Sequence, residues 1–97
     1  MIGISIRGIR NTMKGLEREK DRIISEIAQD TLDVAVKNTP IDEGRARAGW
    51  RRENTGTGFR IANRVPYIDL LEKGRSKQAP RGILGPTVRE ISKRRYK

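Results

Sequence analysis

The sequence predicts an α+β fold: one long amphipathic helix packed on a small, mainly antiparallel sheet, with short helices toward the C-terminus. Three observations predict it. The opening "IGISIRGI" alternates Ile2, Ile4 and Ile6 with small or polar residues, the period of a half-buried strand. From Leu16 to Asn38 the apolar residues recur every three or four positions, the period of a helix with one greasy stripe. Further on, "RAGWRRENTGTGFRIANRV" reads as two strands about a glycine-rich turn.

Gly8 is placed at the end of the first strand, and Ile9, Met13 and Leu16 suit a short amphipathic helix interrupted near Gly15. In the long helix, Ile23, Ile24, Ile27, Ala28, Thr31, Leu32, Ala35 and Val36 form the stripe. Glu17, Glu19 and Asp21 stand near the positive end of its dipole. About 20 residues at 1.5 Å each make a rod of roughly 30 Å, the spine of the domain. The stripe is broad enough for a sheet on one side and a neighbouring subunit on the other.

Pro40 ends this helix because it has no amide hydrogen and disfavours helical geometry at Thr39. The turn "TPIDEGR" follows, with Asp42 accepting amide hydrogen bonds and Gly44 supplying a positive φ. On that reading Gly44→Val impairs folding or assembly. Ala46, Ala48 and Trp50 are then expected on one face of a strand, with Phe59 and Ile61 on the return strand. Trp50 is an anchor in a core or an interface.

Pro66 breaks the run, and "YIDLLEKG" places Tyr67, Leu70 and Leu71 on one side of a short helix capped by Gly74. "RSKQAPRG" is a loop. The last helix starts near Pro86 and is anchored by Val88 and Ile91. Residues 1–92 are expected to form a single domain, and the basic tail 93–97 to fray.

With 97 residues the chain has a thin stability margin, since a domain of this size buries only about 60–65% of its unfolded surface. Cysteine and histidine are both absent, which removes disulfides, thiolate nucleophiles, the usual general base and the commonest metal ligands. No apolar run approaches the roughly 20 residues needed to span a bilayer, and the opening lacks the apolar core of a signal peptide. The expected setting is the cytosol. The formal net charge of +10 predicts attraction to polyanions: nucleic acid, acidic membranes or an acidic protein surface.

Asp42 and Glu43 are adjacent carboxylates, but Arg45, Arg47, Arg51 and Arg52 nearby would keep both ionised, which defeats an acid/base pair. "GRSKQAPRG" carries Arg75, Lys77, Gln78 and Arg81 between two glycines. It lacks the glycine spacing and the lysine followed by serine or threonine of a phosphate-binding loop. It reads instead as a basic loop that orders on a partner. Arg89, Lys93, Arg94 and Arg95 make the C-terminal end a candidate nucleic-acid contact, without the aromatic platforms or helix-turn-helix that base recognition uses. A membrane-surface role is disfavoured because this end has few apolar residues to insert.

The stretches "NTPIDEGRARAGW" and "IANRVPYIDLLEKGRSKQAPRGIL", with the helix before them, resemble the neck, or tail-completion, proteins of long-tailed bacteriophages, typified by gene product ten of a lambda-like phage. The resemblance spans roughly Ile9 to Ile91. Its most specific parts run from Thr39 to Arg45 and from Asn63 to Gly82. Glu43 stands where family members commonly have threonine, and Ala46 where they have a larger aliphatic residue.

The resemblance implies a non-enzymatic head-tail joining protein of the virion, assembled in the host cytoplasm. It would form a homo-oligomeric ring between the capsid connector and the tail tube or its terminator, and the genome would pass through it. No cofactor and no membrane are implied, and contact with genomic DNA would be nonspecific. The expected interface residues are Asp42, Gly44, Arg45, Arg47 and Trp50, then Arg75, Lys77, Gln78 and Arg81, then Arg89, Lys93, Arg94 and Arg95. The alternative is a small basic nucleic-acid-binding protein.

Overall fold

A computed structural model describes residues 1–6, 9, 21–40, 44–55, 58–74 and 79–94 of the chain. Several expectations fall outside those residues: Gly8 as the end of the first strand, the short helix through Met13 and Leu16, the start of the long helix over residues 16–20, the tip of the hairpin turn, Asp42 and Glu43, residues 75–78 and the last three positions.

The fold is α+β. Strand β1 (Ile2–Ser5) is followed by the long helix α1 (Asp21–Asn38) and a short helix α2 (Gly44–Ala48). Strands β2 (Trp50–Thr55) and β3 (Gly58–Asn63) form a hairpin, and two helices follow, α3 (Ile68–Glu72) and α4 (Leu84–Ser92). The three strands make one antiparallel sheet in the order β1-β3-β2.

Register decides which side chains meet. Ile2, Asn63 and Trp50 stand in one cross-strand row, and Ile4, Ile61 and Arg52 in the next. Residues paired directly across strands point to the same face, so these rows form the side that carries the core. Ile2, Ile4, Ile61 and Trp50 join Ile27, Ala28, Val34 and Ala35 of α1 in one buried cluster. The alternate rows, Gly3–Ala62–Arg51 and Ser5–Arg60–Glu53, form the opposite face.

The second side of the α1 stripe is taken by the chain itself. Helix α4 packs along α1, burying Thr87 and Ile91. Lys37 pairs with Glu90 at 2.7 Å, Arg94 with Asp30 at 3.4 Å, and Asn38 donates to Thr87 Oγ1 at 3.1 Å. The sequence allots this flank to a neighbouring copy because periodicity shows how wide a stripe is and not what lies on it. Among the described residues only Met1 and Leu70 are large exposed hydrophobics.

Buried threonines keep the packing free of unsatisfied polar groups. Thr31, Thr39 and Thr87 each return a hydroxyl to the carbonyl four residues back, at 2.6, 2.8 and 2.7 Å. Asn63, fully buried, donates to the Ala46 carbonyl at 2.7 Å and accepts from the Val65 amide at 3.0 Å.

Three local expectations are corrected. Ala46 and Ala48 lie in α2 and not on a strand; Ala46 is fully buried and the strand begins only at Trp50. Alanine and arginine are good helix formers, and a five-residue turn of helix lets Ala46 reach the core, which the alternating reading overlooked. In α3 the buried face is Ile68 and Leu71, with Tyr67 half-buried, whereas Leu70 points to solvent. Ile6 is buried but lies beyond the end of β1. Among the described residues no helix is long and apolar enough to cross a membrane.

Candidate functional site

The two most distinctive sequence segments converge on one cleft. The end of α1, Lys37 to Pro40, forms one wall with Arg47 of α2, and Ala79 to Gly82 with Pro86 forms the other, around a volume of about 540 Å³.

Arg47 holds the first wall together. Its Nε donates to the Thr39 carbonyl at 2.9 Å and its Nη2 to the Lys37 carbonyl at 3.4 Å. The last carbonyls of a helix have no partner within it and carry partial negative charge, so a guanidinium folded back onto them caps α1. Beneath it, Trp50 Nε1 donates to Thr39 Oγ1 at 2.8 Å. Trp50 is 4% exposed, a core anchor of this chain and not a surface for a neighbour.

The second wall, Ala79 to Gly82, lies against the end of α3. Gly74 and Gly82 have φ of +85° and +81°, and a Cβ at either would sit 2.4 Å from a backbone oxygen, Pro80 O and Glu72 O respectively. Both positions therefore require glycine. Glu72 Oε1 accepts from the amides of Ile83 and Leu84 at 2.6 and 3.0 Å, a carboxylate from α3 satisfying the first donors of α4. Gly74 follows the last turn of α3 in the left-handed conformation, as expected. Gly44 does not share that geometry: its φ is not positive, it starts α2, and a Cβ there would touch nothing within 4 Å.

Chemically the cleft is a frame. Lys37 is paired with Glu90, whose carboxyl is held below its ordinary value chiefly by the Lys37 hydrogen bond. The Thr39 hydroxyl is committed to Ala35 and Trp50. Among the described residues no group of three or more aspartates or glutamates is placed to hold a metal ion.

The remaining expected site residues scatter. Arg81, Arg89, Lys93 and Arg45 are exposed and have no ion-pair partner among the described residues. Arg94 is not part of a free tail, since it bridges Asp30 and Glu90. Asp42, Arg75, Lys77, Gln78 and Arg95 lie outside the described residues. Arg51 and Arg52, expected to hold the Asp42 and Glu43 carboxylates, are engaged elsewhere. Arg51 donates to the Ala48 and Trp50 carbonyls. Arg52 lies over the Phe59 ring, 3.9 Å from its centroid, and reaches Ser25.

A second cluster was missed by the sequence reading. On the outward sheet face Glu53 receives Arg60 Nη2 at 2.7 Å and Arg64 through Nε and Nη2, each at 3.1 Å. The hydrogen bonds from Arg64 and then Arg60 pull the Glu53 carboxyl down to about 2, and the same contact raises Arg64. The hairpin register sets Glu53 opposite Arg60, one residue beyond the partner that centring the turn on "NTGTG" suggests.

Compared with known protein families, curated proteins and solved structures, the chain matches none of them.

Proposed function

We propose that this chain is a non-enzymatic structural subunit of a phage head-tail junction, assembling as a ring between capsid connector and tail tube. One observation carries the reading. The two segments on which the resemblance rests meet at the cleft, and their conspicuous residues all hold backbone: Thr39 and Arg47 at the end of α1, Glu72, Gly74 and Gly82 around the end of α3. Such residues fix the angle between elements, as a ring subunit needs.

With the α1 stripe covered by α4, subunit contacts fall to polar surfaces, above all the cleft rim with Arg81. Such contacts are heterologous, one surface meeting a different one on the next copy. Native mass measurement tests this, on the protein alone and then with a capsid connector or tail tube. A defined oligomer on either component is expected; a protein that stays monomeric with both overturns the reading.

The net charge of +10 favours a second reading, a free nucleic-acid-binding protein. It requires tight duplex binding at physiological salt without any association with virion components.

A further inference from the structure

The outward face of the sheet has a composition unlike the rest of the surface. Its floor is the pair of small residues Gly3 and Ala62 across β1 and β3, of which Ala62 is buried and Gly3 lies beside the Arg60 stem. Around that floor rise Arg51, Arg60 and Arg64 against a single carboxylate, Glu53. Glu53 fastens two of these guanidiniums at fixed positions while leaving the Nη1 of each uncommitted to it. Both described aromatics of the hairpin, Trp50 and Phe59, belong to the other face.

We propose that this face docks the sugar-phosphate backbone of duplex DNA without reading sequence. The proposal rests on the ring reading, in which the genome passes the subunit, and it names the surface that meets it. Guanidiniums suit phosphate oxygens because their planar fork donates two parallel hydrogen bonds, and arginines already held by a carboxylate lose little freedom when they bind. The absence of an aromatic platform on the described face removes base stacking, so single strands gain nothing there. An acidic protein partner would need an apolar pocket or anchor at the centre of the contact, and this floor supplies neither.

The test is fluorescence anisotropy with a short random-sequence duplex across a salt series. Three proteins are compared with wild type: Arg51→Gln/Arg60→Gln/Arg64→Gln, a charge-matched control Arg81→Gln/Arg89→Gln/Lys93→Gln, and Arg64→Gln alone. The face variant should lose at least ~10-fold in affinity and shallow the salt dependence by about two to three, close to one per lost phosphate contact. The control should lose less than ~3-fold. Arg64→Gln alone, at a 60% exposed side chain, should lose a measurable part of the affinity with an unchanged melting curve, which covers the case of a misfolded triple variant.

Equal losses in both triple variants, or a wild type that ignores DNA, overturn the assignment; in either case connector binding measured in parallel leaves the neck reading standing or falling on its own. DNA binding through this face with no association to connector or tail tube supports the assignment and overturns the ring.

Discussion

Trp50 Nε1 donates a 2.8 Å hydrogen bond to the hydroxyl of Thr39, joining the first residue of the hairpin to the last turn of the long helix eleven residues earlier. Both residues are buried, at 4% and 1% exposure, and the hydroxyl in turn donates a hydrogen bond to the Ala35 carbonyl. Arg47 of α2 donates to the Thr39 carbonyl as well, so α2 and the start of the hairpin are both tied to the end of α1.

Thr39→Val should therefore leave a buried indole N–H without a partner at constant side-chain shape. The expected loss is about 1–3 kcal/mol by urea unfolding. In a double-mutant cycle with Trp50→Phe, the two losses should fall short of additivity by roughly 1 kcal/mol, because either change alone breaks the same bond. Additive losses would show that the contact contributes nothing in solution.

The glycines separate by geometry and not by motif. Gly82→Ala should destabilise by about 1–3 kcal/mol, since it combines a left-handed φ with a Cβ 2.4 Å from the Glu72 carbonyl oxygen. Gly44→Ala should instead be neutral or stabilise by about 0.4–1 kcal/mol, because its φ is not positive and the space beyond it is open. This reverses the expectation for Gly44 drawn from the turn sequence. Thermal melts of the two variants, side by side, check both signs.

Glu53 sets a pH signature. Its folded value, about 2, lies below the ordinary 4.5, so the stability it contributes is present above pH 4.5 and is lost as pH falls toward 2. Carboxyl-detected NMR should place its midpoint near that lower value. Glu53→Gln should be slightly less stable than wild type at neutral pH, with the difference shrinking through that acid window and also with added salt. A midpoint near 4.5 would mean the arginines do not hold the carboxylate in solution.

Periodicity was enough to place α1, whose stripe from Ile24 to Val36 needs only a 3.6-residue repeat, and β1, whose Ile2 and Ile4 need only alternation. Pro40, Gly74 and Pro86 likewise mark their boundaries by local chemistry that no distant contact can change. Ala46 and Ala48 were misassigned because a short alternating stretch fits a strand until the distance to the core is known. Covering of the second α1 flank by α4, the capping of α4 by Glu72, and the clustering of Arg60 and Arg64 on Glu53 all depend on which elements lie side by side.

Composition and spacing thus established the class of fold, its long helix and the exclusion of cysteine or histidine chemistry, because those follow from residue type and local period alone. The folded arrangement settled which charges are paired, which flank of the helix is covered and which glycines are indispensable, because each is a relation between residues that only the chain's path through space brings within a few ångströms.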